Sequence, residues 1–588
     1  MEIKNRVNHE FTYDGVIEYV LRSRGIARED IKKFLFPDSS LKPDYRKLDN
    51  IEIAIEKLKE HIDKGTHIRV PVDFDADGFT SAAIIYQFIK DDLGHSNISK
   101  FIPNGKVHGI NLEDTLESGA DLLFVTDAGS SDFEEHMALQ ENGCEVIVVD
   151  HHLVEDNKYS DDAIVVNNQL SGAFPWKSLT GAPMTLLFCE AYKDKYGLNI
   201  NLEKYEDLAA IGMISDRADL RDTGAFYMTQ KGLRNINNPL IKHILENDKN
   251  VDDPKSITPK TVEWTIAPAI NAMTRVSNEE NVKLVVDAIS GDDYMVYNSR
   301  LKDEFPLVEE SARKMRSTRS NQSTKVKKAL EVLQERIVEL GTAEHKVLLA
   351  NVTGITDNTG LNGLIAIKLA SEYKRPTLVL SYNEKSGLMT GSGRNFSDSP
   401  LESFKDTLEE TGLFEYVAGH DNAFGVGITV ENAMEITEVL NEKLFNVQYN
   451  NLTHYVDISY ARKPDPHDIM NIANHEWLWG NGIDRPLIHV HSIEVKKKDI
   501  KFIGKTGNTW KLTTGIVDCV MFNLTEEQKL MLTNSHADTL IINIVGEAGI
   551  NEYMGQKKPQ LILKDFEVKE GGESADPWNH FDVTALPF

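Results

Sequence analysis

Val70-Pro71-Val72-Asp73-Phe74-Asp75-Ala76-Asp77-Gly78 joins a short apolar run to three aspartates and a glycine. The apolar run predicts a buried β-strand, and the segment 81–89 directly after it predicts a helix. A strand followed by a helix is half of the βαβ unit from which parallel sheets are built. The three carboxylates therefore lie at the carboxyl end of a predicted parallel strand, where such sheets bind their ligands.

Two further apolar runs end in the same way. Residues 122–126 are followed by Asp127, and residues 146–149 are followed by Asp150-His151-His152. Because the carboxyl ends of parallel strands meet at one edge of the sheet, we expect these side chains to converge. Clustered carboxylates repel one another unless a cation lies between them, and oxygen ligands suit Mg²⁺ and Mn²⁺. The sequence thus predicts the site of a divalent-metal hydrolase, with a pair of ions.

Other interpretations of these acids remain open when each acid is taken alone. A DxDxDG string also occurs in calcium-binding loops, but the further oxygen ligands of such a loop are missing here and an apolar run precedes the string. A single aspartate after a strand is often only the cap of the next helix. Capping does not account for three strand ends together with adjacent histidines.

The charge of the chain restricts how it can bind nucleic acid. With 92 acidic and 64 basic residues, the net charge is −28, whereas phosphate contacts need Lys and Arg. A nucleic-acid enzyme of this composition must concentrate its positive charge locally. Residues 311–330 and 496–511 do so, the second with Phe502 and Trp510 interleaved as candidate stacking residues. For each stretch, a merely solvated charged face is an equal alternative, and for the two aromatics a place in the core is the alternative.

Several classes of protein are disfavoured. No run of about 18 apolar residues exists, so we expect no transmembrane helix and no membrane partner. The first residues show no apolar signal core, and Cys144, Cys189 and Cys519 form no CxxC pair, which argues against a zinc ribbon or a disulfide framework. We therefore expect a cytoplasmic protein.

The pattern along the chain predicts an α/β fold in several domains. Strands alternate with helices after residue 50, a long helix follows, a second α/β unit comes next, and short strands with glycine turns then indicate a small β-barrel. Val326, Leu330, Leu333, Ile337 and Leu340 share one helical face, with Gly341 as the stop. The predicted domains are 1–50 (helical lead-in), 51–300, 301–341 (connecting helix), 342–447, 448–570 and 571–588 (tail).

These motifs resemble a known family. Asp73–Ser81, Asp127-Ala128-Gly129, Asp150-His151-His152 and Asp216 resemble the four motifs of the DHH phosphoesterase superfamily. Gly391-Ser392-Gly393-Arg394 and Ala418-Gly419-His420 resemble its companion DHHA1 domain, although Ala418 replaces a usual glycine. Gly480-Asn481-Gly482 and the segment 559–565 resemble the OB-fold of the RecJ single-strand-specific exonucleases. The resemblance implies a parallel-sheet DHH domain, a long helix, a DHHA1-like domain and an OB-fold-like barrel.

The resemblance also implies roles for individual residues. Asp73, Asp75 and Asp127 would hold one Mn²⁺ or Mg²⁺, and Asp77, Asp127, His151 and Asp216 a second. Two such ions clamp the attacking and leaving oxygens of a phosphoryl displacement. His152 would face the phosphate and Asp150 would orient the histidines, unless His152 is only a satisfied buried histidine. The substrate would be bound by Asn271, Arg275, Ser392, Arg394 and His420; an interdomain salt bridge is the alternative for Arg275, and a cap for Asn271.

The implied activity is exonucleolytic hydrolysis of single-stranded DNA from the 5′ end, releasing 5′-mononucleotides, in recombination and repair. Single-stranded DNA would be the main partner, with a single-strand-binding protein or a helicase as further candidates. A DHH phosphodiesterase of short oligoribonucleotides or cyclic dinucleotides, and a non-catalytic replication scaffold, are the alternatives. The barrel and the basic helix argue against the first, and the intact ligand set argues against the second. Since all predicted metal ligands precede residue 221, we expect the region after 450 to add only strand contacts.

Overall fold

The computed structural model describes residues 2–6, 15–102, 109–154, 158–249, 251, 253–255, 257–356, 358–396, 399–449, 453–504, 507–535, 537–553 and 555–570. These residues form two compact units. The larger unit holds residues 33–450 with 480–482, and the smaller unit holds the described parts of 1–32, 451–479 and 483–588. The predicted lead-in 1–50 is thus divided between the units. No helix of the described ranges is both long and apolar enough to cross a membrane.

The chain begins with a strand and three helices. They are β1 (Glu2–Asn5), α1 (Val16–Ser23), α2 (Ile31–Leu35) and α3 (Ile51–Lys64). Helix α3 places Ile51, Ala54, Ile55 and Leu58 on one buried face, and Gly65 ends it with a φ of +67°. That apolar face belongs to the core of the parallel sheet that follows.

The first domain of the larger unit is built on a five-stranded sheet. Its elements are β2 (Ile68–Pro71), α4 (Ala76–Gln87), β3 (Ile98–Phe101), α5 (Leu112–Glu117), β4 (Leu122–Thr126), α6 (Phe133–Glu141), β5 (Glu145–Asp150), β6 (Ile164–Asn167) and α7 (Gly181–Lys195). The strand order is β3-β2-β4-β5-β6, and every pairing is parallel. The predicted parallel sheet is therefore confirmed, and the carboxyl ends of β2, β4 and β5 share one edge.

Helices complete this domain and lead out of it. They are α8 (Glu206–Ser215), α9 (Thr223–Leu233), α10 (Pro239–Glu246), α11 (Pro259–Thr261), α12 (Ala267–Val276) and α13 (Glu279–Ile289), followed by the hairpin β7 (Met295–Asn298) and β8 (Asp303–Pro306) and by the long helix α14 (Leu307–Leu340). Helix α8 is apolar on all sides because it packs between α4, α7 and α9. Gly341 ends α14 with a φ of +66°, at the predicted stop.

The second domain of the larger unit is a mixed sheet with helices. Its elements are β9 (Leu348–Asn351), α15 (Asn362–Tyr373), β10 (Thr377–Asn383), β11 (Leu388–Arg394), α16 (Phe404–Glu409), β12 (Phe414–His420), β13 (Ala423–Ile428) and α17 (Val430–Lys443). The strand order is β12-β13-β11-β10-β9. Only the pair β9–β10 is parallel, so the α/β prediction is correct, with an antiparallel half added.

The smaller unit is mostly β-structure. Its elements after β1 and α1 are β14 (Thr453–Val456), β15 (Ile458–Ala461), α18 (Pro466–Asn474), β16 (Leu487–Lys496), β17 (Lys501–Ile503), β18 (Thr509–Thr514), β19 (Val517–Met521), α19 (Glu526–Thr533), β20 (Thr539–Tyr553) and β21 (Gln556–Glu570). Seven strands form one sheet in the order β15-β16-β20-β21-β19-β18-β17. Strand β1 pairs with β14, and Arg24 forms a buried ion pair with Asp457, so the first residues of the chain are part of this unit.

Trp510 belongs to the core of this sheet. Its side chain is fully buried, and its ring centroid lies 5.2 Å from that of Phe566. A buried indole cannot stack on a nucleic-acid base, so Trp510 is not the stacking residue that we considered. Phe502 is half-buried on β17.

Candidate metal centre and phosphate site

The acidic strand ends converge as the parallel sheet requires. Three groups of side chains place their ligand atoms within 4.8 Å of one another: Asp73 with Asp75 and Asp127; Asp77 with His151 and Asp216; and Asp127 with Asp150, His151 and His152. The structure thus brings together all six residues that we predicted as metal ligands. Asp216 reaches the cluster from the end of α8 rather than from a strand.

The turn after β2 positions the first aspartates. Asp75 caps α4, and its carboxylate accepts a hydrogen bond of 2.9 Å from the backbone N–H of Gly78. A β-carbon on Gly78 would lie 2.6 Å from the Cβ of Asp73, so only glycine fits this turn. Burial, followed by the charges of Asp77 and Asp73, raises the pKa of Asp75 to about 6.

Asp77 is held by the start of α7. Its carboxylate accepts hydrogen bonds from the backbone N–H groups of Gly181 (2.7 Å) and Ala182 (3.0 Å). The positive end of the helix dipole stabilises a carboxylate there. Two neighbouring glycines pack tightly against the acidic side chains. A β-carbon on Gly181 would lie 2.4 Å from the Cβ of Asp127, and one on Gly212 would lie 2.1 Å from Oδ1 of Asp77. These glycines carry no local sequence signal, and we did not predict them.

Asp127 occupies the centre of the cluster in an unusual conformation. Its φ is +64°, a region that aspartate tolerates better than most residues. Its backbone N–H donates to the carbonyl oxygen of Val149, which fixes the strand end. Burial, followed by the charges of Asp77 and Asp75, raises the pKa of Asp127 well above the ordinary value of an aspartate.

Asp127 and His151 present polar atoms that the described residues do not satisfy. Oδ1 of Asp127 and Nε2 of His151 lie 3.1 Å apart, yet both are buried without a hydrogen bond within the described part of the chain. Burial lowers the pKa of His151, which favours the neutral ring that a metal ion needs. Orphaned polar atoms are costly in a protein interior. A divalent cation would resolve this cost, and the set of carboxylate oxygens with one imidazole fits Mn²⁺ or Mg²⁺.

Asp150 organises the two histidines. It is fully buried and accepts hydrogen bonds from the backbone N–H groups of His151 and Ser130 and from Nδ1 of His152 at 2.8 Å. Burial acts to raise its pKa, but the hydrogen bond and charge of His152 lower it below the ordinary range. Burial likewise acts to lower the pKa of His152, but Asp150 raises it to about 9. His152 is therefore held in one orientation beside the acidic cluster.

Two arginines interact electrostatically with the cluster or with each other. Burial lowers the pKa of Arg275 on α12, while the charge of Asp75 acts in the opposite direction. Burial, followed by the charge of Arg275, lowers the pKa of Arg394 at the end of β11. Among the described residues, no carboxylate forms an ion pair with Arg275 within 4.0 Å, so the salt bridge that we considered is not formed there. Two half-buried guanidinium groups whose charges repel each other are an environment suited to an anion.

The start of α15 completes this cationic region. A β-carbon on Gly363 would lie 2.8 Å from Nη2 of Arg394 and 3.6 Å from Oγ of Ser392. Both side chains therefore lie against the first turn of α15, where backbone N–H groups and the helix dipole favour anions. Arg394 is braced by hydrogen bonds to the carbonyl oxygens of Gly393 (2.7 Å) and Phe424 (3.3 Å). The contribution of this helix terminus was not predicted from the sequence.

The remaining two predicted substrate residues, Asn271 and His420, differ from each other in their surroundings. Oδ1 of Asn271, on α12, is buried and has no hydrogen-bond partner in the described ranges, so it is available to a ligand. His420 is exposed at the end of β12. Within the described ranges, no hydrogen bond or ion pair joins His420 to the acidic cluster. Its predicted role stays a prediction.

Family models match two separate parts of the chain, one around the parallel sheet and one near the C-terminal end. Residues 67–213 match the model of the DHH family, N-terminal domain, and residues 467–565 match the model of the RecJ OB domain. The described fold is also similar to that of a solved structure, RecJ in complex with Mn²⁺ from Thermus thermophilus. The two share a TM-score of 0.72 at 21% identity, over 95% of this chain and 76% of that chain. At this identity the likeness concerns the fold.

Two curated relatives are similar over nearly the whole chain. YorK of Bacillus subtilis (strain 168), named as a proposed SPbeta prophage-derived single-strand DNA-specific exonuclease, is 36% identical over 97% of this chain and 98% of its own length. The single-stranded-DNA-specific exonuclease RecJ of the same organism is 26% identical over 90% of this chain and 64% of its own length. The DHH motifs, the OB domain and this full-length similarity agree, and the chain belongs to the RecJ family of DHH proteins.

Proposed function

We propose that this chain is a divalent-metal-dependent exonuclease that hydrolyses single-stranded DNA from the 5′ end and releases 5′-mononucleotides. The observation that carries the proposal is the convergence of carboxylate and imidazole ligand atoms in the acidic cluster, with the half-buried Arg275 and Arg394 as cationic neighbours. A site in which carboxylates bind metal cations and arginines bind an anion is suited to a phosphodiester. The relatives named as single-strand DNA-specific exonucleases supply the class of substrate.

The acidic cluster provides the ligands for two ions. We assign Asp73, Asp75 and Asp127 to one Mn²⁺ or Mg²⁺, and Asp77, Asp127, His151 and Asp216 to the other. When bound, such a pair stabilises the developing charge of an in-line phosphoryl displacement and makes water a better nucleophile near neutral pH. Asp127 and His151 each belong to two of the three groups of ligand atoms. We propose Asp127 as the shared ligand, because a carboxylate can offer one oxygen to each ion whereas an imidazole nitrogen binds only one.

The other side chains bind and orient the strand. Arg394, Ser392 and the first turn of α15 would hold a phosphate group in a planar, two-pronged contact. Arg275, which interacts with the charges of Asp75 and Arg394, would hold the phosphate nearest the cluster. Asp150 fixes the ring of His152 through Nδ1, and we propose that the ring held in this way faces a phosphate oxygen. Asn271 and His420 are the further residues that we propose for strand binding.

Strand polarity, biological role and protein partners extend the proposed activity. We propose that Arg394 binds the 5′-terminal phosphate, which would set the polarity, and that the enzyme serves DNA recombination and repair. The smaller unit would add contacts to the single strand. The domain boundaries that we propose are those predicted from the sequence. A single-strand-binding protein or a helicase is the protein partner that we propose to test.

Hydrolysis of strands labelled at either end tests the proposal. Single-stranded DNA and RNA of equal sequence are incubated with Mn²⁺, with Mg²⁺ and with a chelator. We expect a 5′-label on DNA to appear at once as mononucleotide, and a chelator to stop the reaction. Faster hydrolysis of short oligoribonucleotides or cyclic dinucleotides would favour the other DHH phosphodiesterases. No hydrolysis with either metal, by a protein that still binds the strand, would favour a scaffold.

A further inference from the structure

Trp264 is an exposed tryptophan that is not among the residues of the proposed metal and phosphate site. It lies in a continuous helical segment that runs from α11 through a π-helical turn, Val262–Ile266, into α12. Its side chain is 66% exposed, and it is the only exposed tryptophan among the described residues. We propose that Trp264 is a stacking platform for a base of the single strand, on the path that leads to Arg275. This inference rests on the proposed function and extends its strand-binding site.

The backbone of Trp264 is held in place by an arginine. Pro268 has no N–H group, so it cannot donate to the carbonyl oxygen of Trp264 four residues earlier. Arg319, on α14, replaces that donor with a hydrogen bond of 2.7 Å from Nη2 and also donates to the carbonyl oxygen of Thr265. The exposed indole therefore projects from a fixed turn, and π-helical turns of this kind are frequent at functional sites.

The helical segment that carries Trp264 continues into the predicted substrate residues. Asn271 and Arg275 follow seven and eleven residues later on α12, and at 3.6 residues per turn they lie within about 40° of each other. Pro268, between Trp264 and Asn271, is half-buried. A strip of this segment thus leads from the exposed indole to Arg275, whose guanidinium group interacts with the charge of Asp75.

The length of this strip fits a short piece of a single strand. Eleven residues of helix span about 16 Å. A stacked strand rises about 3.4 Å per nucleotide, so the strip corresponds to no more than about five nucleotides. A base on Trp264 would therefore belong to the body of the strand, while the scissile phosphate lies at the acidic cluster.

Charge along the strip suits a polyanion. Lys260, four residues before Trp264 in the same segment, is exposed. Arg319 lies against the backbone of the platform, and Arg316, three residues before it on α14, is exposed. Stacking on an aromatic ring flanked by cations is the usual way in which single strands are bound without sequence preference.

Replacing the indole tests the inference. We expect Trp264→Ala to raise KM roughly tenfold to a hundredfold on a strand of about 12 nucleotides and to leave kcat unchanged. On a trinucleotide, which cannot span the strip, KM should not change. Trp264→Tyr, which keeps an aromatic face, should restore most of the affinity. Phe36→Ala is the matched control, because Phe36 is 75% exposed in the same unit and has no proposed role.

The outcomes separate this inference from the function on which it rests. If the wild-type protein does not hydrolyse single strands, the proposed function fails. If it does, and Trp264→Ala keeps the wild-type KM on the long strand, only the platform is wrong. An equal loss on the trinucleotide would also overturn the platform, because it would assign Trp264 to folding or to the catalytic site. Failure of Trp264→Tyr to rescue binding would exclude stacking as the cause.

Discussion

A β-carbon at position 212 would lie 2.1 Å from Oδ1 of Asp77 and 2.6 Å from Oγ1 of Thr80. Gly212→Ala must therefore displace a proposed metal ligand or separate α8 from α4. We expect the variant to bind Mn²⁺ at least tenfold more weakly and to lose about 1–3 kcal/mol of unfolding free energy, as overpacked cores do. Calorimetric titration with Mn²⁺ and unfolding in urea measure the two effects.

Gly172→Ala is the control for this test, because a β-carbon there meets no atom within 4 Å. It should bind Mn²⁺ as the wild type does. Unchanged Mn²⁺ affinity in Gly212→Ala would show that Asp77 is not held by this contact, or does not bind the ion.

Arg394 permits a second test on the scale of one residue. Losing a charge-assisted hydrogen bond costs about 1.5–3 kcal/mol, so Arg394→Ala should raise KM roughly tenfold to a hundredfold. It should also reduce the preference for 5′-phosphorylated strands while Mn²⁺ binding stays the same. Steady-state kinetics on strands with and without the phosphate measures this.

Arg375→Ala serves as the matched variant. Arg375 lies in the same domain and donates to the carbonyl oxygens of His345 and Lys374, which is a structural role. Its loss should lower stability and leave the phosphate preference intact. If Arg394→Ala behaves in the same way, Arg394 is structural too.

The convergence of the acidic side chains could be predicted because their position follows from a local rule. Asp73, Asp127 and Asp150 each follow an apolar run, and a parallel sheet brings such strand ends to one edge. Gly181 and Gly212 follow no local rule. A β-carbon on either would collide with an aspartate far along the chain, and such contacts are visible only once the helices are packed.

On the scale of elements, the segment after α8 is braced by a distant loop. Nδ2 of Asn481 donates to the carbonyl oxygen of Arg217, and the N–H of Leu220 donates to the carbonyl oxygen of Asn481. A β-carbon on Gly482 would lie 2.0 Å from Oδ1 of Asp219. The loop 480–482 therefore fixes the chain directly after Asp216. Our expectation that the region after 450 adds only strand contacts does not hold for this loop.

Asn481→Ala tests the brace. Loss of a group that orients a metal ligand typically costs about 10–100-fold in metal affinity or activity, and we expect a loss of this size on short and long strands alike. Asn534→Ala is the control. It replaces an exposed asparagine at the end of α19, also in the region after residue 450, and should leave activity unchanged. A loss confined to long strands would assign Asn481 to strand binding instead.

Helix α14 shows which elements can be predicted. We predicted a connecting helix over 301–341, and α14 runs from Leu307 to Leu340. Val326, Leu333 and Ile337 repeat at helical spacing and are buried in the core of the second domain. Leu340, on the same predicted face, is 73% exposed because the helix ends there. The first part of the helix packs into the core of the first domain, whereas residues 303–306, inside the predicted range, form strand β8 instead.

On the scale of the whole molecule, each unit contains a buried histidine outside the acidic cluster that resists protonation. Burial lowers the pKa of His136, in the larger unit, to about 4, with its Nδ1 bonded to Ser160. Burial, followed by the charge of His491, lowers the pKa of His489, in the smaller unit, to about 4. In an unfolded chain, histidine titrates near 6.5.

The sign of the pH effect follows from these pKa values. Each depressed pKa contributes stability that is fully present above about pH 6.5 and is lost as the pH falls toward 4, because the unfolded chain takes up the proton first. Between pH 7 and 5, each histidine should cost its unit roughly 2 kcal/mol of unfolding free energy. His136→Gln and His489→Gln remove the titrating group while keeping a polar side chain. Each variant should therefore flatten the pH dependence of the unit that contains it and leave the other unit unchanged.

Hydrogen exchange followed by mass spectrometry distinguishes the two units, with peptides from α6 and from β16 as reporters. The exchange rate of the α6 peptide in His136→Gln, corrected for intrinsic rates, should depend less on pH than in the wild type, while the β16 peptide keeps the wild-type dependence. His489→Gln should give the reverse. A substitution that weakens packing lowers protection at every pH and does not change this slope, so a structural defect cannot imitate the result. Equal slopes in wild type and variant would mean that the histidine titrates alike in the folded and unfolded chain, and that acid sensitivity arises from other groups.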